Sequence, residues 1–137
     1  MPGKRGLGLL THGNQPMVFG KGAVAGGFVF LSGAEGRHPD TGIPVEGITA
    51  QTEVVFEKIK SRLAEAGATL DDIVKCVWYL KGRENKEAFF AARDGWLERN
   101  APNLVAERSY ASTLLFVDGM SHEEMLVEVD CIAYVGE

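Results

Sequence analysis

The stretch Leu63-Ala-Glu-Ala-Gly-Ala-Thr-Leu-Asp-Asp-Ile-Val-Lys-Cys-Val-Trp-Tyr-Leu80 changes its apolar period halfway along, and that change decides the fold. On the upstream side, Val55, Ile59, Leu63 and Ala66 recur every three or four residues, which puts one apolar stripe on a helix over 49–66. Thr49 suits the cap before its first turn, and Gly67 the left-handed position after its last. Downstream, 73–80 is rich in β-branched and aromatic residues and reads as a strand. Val74, Cys76, Trp78 and Leu80 share one face of it; Lys75, Val77 and Tyr79 share the other.

The same reading extends in both directions. Toward the amino terminus, a strand over 28–32 lies between Gly26-Gly27 and Gly33, and an earlier strand over 18–24 is interrupted by glycines. His38-Pro-Asp-Thr-Gly42 has turn chemistry: proline presets one dihedral and glycine accepts a positive one. Toward the carboxyl terminus, a second helix over 86–98 buries Ala88, Phe89, Ala92 and Trp96, and Asn100-Ala-Pro102 closes it. Strands over 107–116 and 125–135 follow, joined by the polar loop Val117-Asp-Gly-Met-Ser-His-Glu-Glu124. In the last strand Val127, Val129, Cys131, Ala133 and Val135 alternate with Leu126, Glu128, Asp130, Ile132 and Tyr134. This order predicts one α+β domain over 1–137, with two helices packed on one face of a sheet. The opposite face would then expose Trp78 or Tyr79 with Leu126, Ile132 and Tyr134, an apolar area that favours oligomerisation and ligand clefts between subunits.

Composition narrows the function. A chain of 137 residues, 45 % hydrophobic and 24 % charged, has the make-up of an ordinary soluble globule. A formal charge of -5 argues against nucleic acid as a partner. Apolar runs such as 28–31 and 113–117 are too short to span a membrane, and 1–6 does not lead into a signal core, so the expected location is cytoplasmic. The two cysteines, Cys76 and Cys131, sit in apolar alternating segments and read as small buried hydrophobes. His12, His38 and His122 are dispersed, so no metal site is expected.

Several pieces, taken in order, resemble the RidA/YjgF family of enamine/imine deaminases over most of the chain. They are Gly26-Gly-Phe-Val-Phe-Leu-Ser-Gly33, Asp40-Thr-Gly42, Gln51-Thr52, the helix-to-strand junction above, Glu107-Arg108-Ser109 and Leu126-Val-Glu-Val129. The resemblance implies a chorismate-mutase-like fold assembled as a homotrimer, with active sites at subunit interfaces and no cofactor. It places the family's arginine at Arg108, on a strand, holding the carboxylate of a small imine or enamine acid. Guanidinium suits that role because its planar fork matches a carboxylate. The family's late glutamate falls at Glu128, where it would position or deprotonate water, and Ser32-Gly33 would line the cleft.

Departures from the family's pattern bear on the substrate. Gly20 stands where family deaminases usually carry a tyrosine, and Arg93 where an asparagine is common. The loop before the last strand is longer and adds His122, Glu123 and Glu124. Ser32-Gly-Ala-Glu-Gly-Arg-His-Pro-Asp40 is similar to a run in the 2-aminomuconate deaminase branch, which implies a dicarboxylic enamine with Arg37 or Arg93 on its second carboxylate. The ordinary reading of Arg37 is a solvated turn residue. The expected function is therefore an imine deaminase that yields a keto acid and ammonia. The alternative is a non-catalytic, keto-acid-binding regulatory trimer, and an endoribonuclease fits the acidic charge least.

Overall fold

The computed structural model of the chain describes residues 3–136. In chain order the elements are β1 (Lys4–Gly6), β2 (Leu9–His12), β3 (Gln15–Gly20), β4 (Gly22–Ala25), β5 (Phe28–Leu31), β6 (Ala34–Glu35), α1 (Ile48–Glu65), β7 (Ile73–Lys81), α2 (Lys86–Asn100), α3 (Pro102–Glu107), β8 (Ala111–Val117) and β9 (Val127–Tyr134). The main sheet runs β1-β4-β5-β9-β7-β8, and β6 also pairs with β9. All its pairings are antiparallel except β7 with β8. Strands β2 and β3 form a separate hairpin. The architecture is α+β. No helix among the described residues is long and apolar enough to cross a membrane.

Helices α1 and α2 cover one face of the sheet. The stripe predicted for α1 is the buried one: Val55, Ile59 and Leu63 are fully enclosed, with Phe56 beside them. Burying each such side chain contributes about 1.5–3 kcal/mol. Phe56 stacks on Trp96 at 4.8 Å and meets Trp78 edge-on at 5.9 Å, which ties α1, α2 and β7 into one core. Trp78 keeps its polar atom satisfied by donating from Nε1 to Ser112 Oγ on β8, at 2.6 Å. Cys76 and Cys131 are buried free thiols and register partners on β7 and β9.

The structure corrects several local expectations. Thr49 lies inside α1, whose cap is Gly47 without a side-chain hydrogen bond; Gly67 does take the left-handed conformation, at φ 77°. The pairing of β7 with β9 shifts register between Ile73 and Lys75, a bulge that turns Val74 outward and Ile73 inward. Ala88 is exposed, and Leu97 joins Phe89 and Trp96 on the buried side of α2. Pro102 closes α2 but also opens α3, because the missing N–H costs nothing at a first helical position. The expected strand over 107–116 accordingly starts only at Ala111. The single interrupted strand over 18–24 is two strands, β3 and β4, with Lys21 between them.

The other face of the sheet is open. Phe28, Phe30, Leu115 and Tyr134 are exposed there, and Phe28 packs on Tyr134 at 4.8 Å. Trp78, offered above as a candidate for this face, is instead wholly buried beneath the helices.

Candidate functional site

Glu128 projects from β9 onto the open face. Its register neighbours are Glu35 on β6 and Tyr79 on β7. Gly33 leaves the space that the Glu128 carboxylate occupies, since a Cβ at position 33 would collide with Oε2. Half-burial foremost, then the charges of Glu35 and Asp130, push the Glu128 carboxyl up to about 7, against a smaller downward pull from Arg37. A carboxyl group poised there exchanges protons readily at neutral pH. Ser32 adjoins this wall, and its hydroxyl donates to the Gly20 carbonyl at 2.6 Å. Tyr79 donates its hydroxyl to Asp130 Oδ2 at 3.2 Å, which raises the phenol above its ordinary value.

Behind Glu128 stands a network that sequence reasoning missed. Glu35 is buried and accepts from Arg37 Nε at 2.7 Å and from Ser121 Oγ at 3.2 Å. Arg37 spends its other two nitrogens on the Gly42 carbonyl and Ser121 Oγ. It is therefore a buried strut with every nitrogen engaged rather than a solvated turn residue, and it has no free fork for a second carboxylate. One acidic residue in a glycine-rich run carries no periodic signal, so Glu35 was invisible until the turn folded back.

Arg108 and Arg93 share a different cleft, of about 410 Å³, between α2, α3 and β8. Arg108 is exposed and caps α3 in the left-handed conformation, φ 50° and ψ 47°, rather than lying on a strand. The guanidinium of Arg93 lies over the rings of Phe90, Trp78 and Phe89 at 4.7, 5.3 and 5.4 Å, and its Nε donates to Asp94. Tyr110 completes this wall, its hydroxyl shifted upward by burial.

Within one chain the two halves stand far apart. Ala111 pairs with Lys75, whereas Glu128 pairs with Tyr79 on the other side of β7. That offset is roughly 13 Å along the strand, with two strand spacings of about 4.8 Å added across it. Arg108 lies further out still. The structure thus brings Ser32, Gly33 and Glu128 together, and separately Arg93 and Arg108.

A Cβ at Gly20 would meet the Gly8 carbonyl oxygen at 2.7 Å, so the hairpin leaves no room for a tyrosine there. The loop around His122 is tied down: buried Gln51 donates to the Glu124 and Val45 carbonyls and accepts from the Leu126 N–H. Among the described residues no three His, Cys, Asp or Glu side chains stand together as a metal site.

Comparison with known proteins agrees with this architecture. The profile of the family described as Endoribonuclease L-PSP matches residues 16–135. A RutC family protein of Pyrococcus abyssi is 34% identical over 110 residues, 80% of each chain. Mitochondrial protein MMF1 of Saccharomyces cerevisiae is 36% identical over 93 residues, 63% of each chain. The crystal structure of yeast Mmf1 superposes with a TM-score of 0.77 at 25% identity, covering 98% of this chain and 99% of that one. A Rid family protein, YyfA of Yersinia pestis, gives a TM-score of 0.78 at 24% identity, with 96% and 99% covered.

Proposed function

The chain belongs to the Endoribonuclease L-PSP (RidA/YjgF) family, and from that premise we propose that it hydrolyses a carboxylate-bearing imine in a homotrimer, at sites between subunits. The observation that supports this most is Glu128, a half-buried carboxyl raised to about 7 beside the space left by Gly33. Arg108 of one copy holds the substrate carboxylate, and Glu128 of the next addresses the reacting carbon. An enamine acid first tautomerises to the imine. Ionised Glu128 takes a proton from water as the oxygen attacks the C=N carbon and passes it to the nitrogen, giving a neutral carbinolamine. That adduct then collapses: Glu128 takes the hydroxyl proton as the carbonyl forms and delivers it to the nitrogen as the C–N bond breaks and ammonia leaves. Holding one end of the substrate and aiming one water supplies orientation, which is most of what so electrophilic a carbon requires.

The open face carrying Glu128 and Asp130 is acidic, and Arg37 behind it is already committed to Glu35, so Arg108 of a neighbouring copy is the complement this face calls for. Arg93, fixed on three aromatic rings, is the candidate for a second carboxylate, as in a 2-aminomuconate-type substrate. The test is ammonia release from imines generated in situ by an amino-acid oxidase. Arg108→Ala should remove turnover from a folded trimer, and Glu128→Gln should lower it about 100-fold or more. Wild type inert on monocarboxylic and dicarboxylic imines alike would overturn the reading. The carboxylate-binding regulatory trimer, which the lack of room for a tyrosine at Gly20 favours, would then take its place.

A further inference from the structure

A second pocket lies on the helix side, away from Arg108. It is enclosed by the β2–β3 hairpin, the turn that follows β6 and the outer side of α1, with a volume of about 180 Å³. Its charged lining is Lys21, Arg37, Lys58 and Arg62, with His12 and His38 beside them. We propose that this pocket binds a phosphate-class dianion, free phosphate or a phosphomonoester, gripped by Arg62 and Lys58.

Arg62 is the more deeply buried of the two. The residue is only 8% exposed, yet its Nη1 is fully buried with no hydrogen-bond partner among the described residues. A buried charged donor without an acceptor is costly, so the guanidinium is short of negative charge, and the part of it that lines the pocket is where an anion would relieve it. Lys58 beside it is half-buried and has one acceptor. Its Nζ donates to the backbone carbonyl of Glu35 at 2.8 Å, and it has no carboxylate partner among the described residues. Burial and the neighbouring Arg62 lower its pKa to about 8, the mark of an ammonium short of negative charge.

The charge balance sets the valence of the ligand. Four cations line the pocket: Lys21, Arg37, Lys58 and Arg62. Lys21 is paired with Glu65, and Arg37 with Glu35, which also faces His12 at 3.1 Å. His12 is pushed below its ordinary value by burial, and Lys58 and Arg62 have no ion pair of their own among the described residues, with Glu35 and Glu65 acting on them only at longer range. Two adjacent positive charges with free donors match one dianion, and a single tetrahedral group places oxygens toward both. The pocket adjoins a groove of about 540 Å³ along α1, which shares Lys21, Lys58 and Arg62 and continues over Val45, Ala50 and Val54, with Glu53, Glu57 and Glu65 also on its walls. A phosphomonoester would lay its organic part there. Arg108 and Glu128 line neither the pocket nor the groove.

Calorimetric titration of the whole protein with inorganic phosphate, phenyl phosphate and succinate tests it, with thermal unfolding measured alongside. Phosphate should bind and raise Tm, phenyl phosphate should bind more tightly, and succinate should bind weakly. Arg62→Gln and Lys58→Gln should each weaken phosphate roughly tenfold or more, as expected for loss of a charge-assisted hydrogen bond. Arg62→Gln should also raise Tm without phosphate, by removing an uncompensated buried charge, and should abolish the phosphate-induced rise. A merely structural arginine would lower Tm instead. The site is overturned if phosphate gives no heat, or if both variants bind it like wild type. Succinate binding as tightly as phosphate would overturn the phosphate assignment, and phosphate equal to phenyl phosphate would remove the groove from it.

Discussion

Glu128 and Glu35 face each other across the β6–β9 pairing, and cross-strand partners stand with Cβ atoms about 5 Å apart. Burial foremost, and then Glu35, tied in place by Arg37 and Ser121, raise the pKa of Glu128. A carboxyl whose folded pKa lies above its unfolded value of 4.5 contributes stability that is complete below about 4.5 and is lost as pH rises through about 7. The cost at pH 8, discounted for partial solvent exposure, is about 1 kcal/mol. Glu128→Gln should therefore stabilise the protein by that amount at pH 8 and leave it unchanged at pH 4, as urea unfolding at the two values will show. Equal effects at both would mean that the neighbouring charges do not act on it. Wild-type deamination should in turn rise from pH 6 to pH 8 as Glu128 ionises. Gly20 is the second residue whose surroundings decide its identity. With the Gly8 carbonyl 2.7 Å from its would-be Cβ, Gly20→Ala should destabilise by about 1–3 kcal/mol, and Gly20→Tyr by more, without gain of activity.

Among the elements, those with an unbroken local period were legible before folding: α1, α2, β7 and β9 lie within two residues of their expected bounds. Elements defined by what they touch were not. The bulge at Val74 arises from the pairing with β9, and β1 and β2 are short, mostly exposed and glycine-bounded, with no apolar alternation to mark them. Pro102 announced an ending and concealed a beginning, which moved Arg108 from a strand to a helix cap. The candidate site divides in the same way. Glu128 and Gly33 are on regular β9 or its immediate neighbour, whereas Glu35, Arg62 and Lys58 acquire meaning only from tertiary burial. Gln51 shows how one side chain can integrate several elements: from the first turn of α1 it makes three hydrogen bonds that fix the 45–47 turn and the loop before β9. Gln51→Ala should cost about 3 kcal/mol, the sum of those bonds and the void. The Leu126 amide should lose its protection from hydrogen exchange before the rest of β9 does. Unchanged protection at Leu126 would show that the loop is held by its buried Met125 instead.

At the scale of the whole molecule, an open sheet face bearing Phe28, Phe30, Leu115 and Tyr134 favours a cover, and the proposed trimer would supply one from a second copy. Phe30→Glu should convert the proposed trimer to monomers in light scattering and remove turnover with it, while leaving the helix-side core and its circular dichroism intact. The separation of Arg108 from Glu128 makes a sharper demand. If each site takes its arginine from one copy and its glutamate from the next, Arg108→Ala and Glu128→Gln trimers are each inactive for complementary reasons. Unfolding the two together and refolding them as a mixture places wild-type Arg108 against wild-type Glu128 at about one interface in four, by random assembly on a threefold axis. The mixture should therefore recover about a quarter of wild-type turnover, whereas mixing the folded trimers without refolding should recover none until subunits exchange. Refolded mixtures that stay inactive would place both residues' work within one chain, which the register of β7 with its two neighbours does not permit for a small substrate.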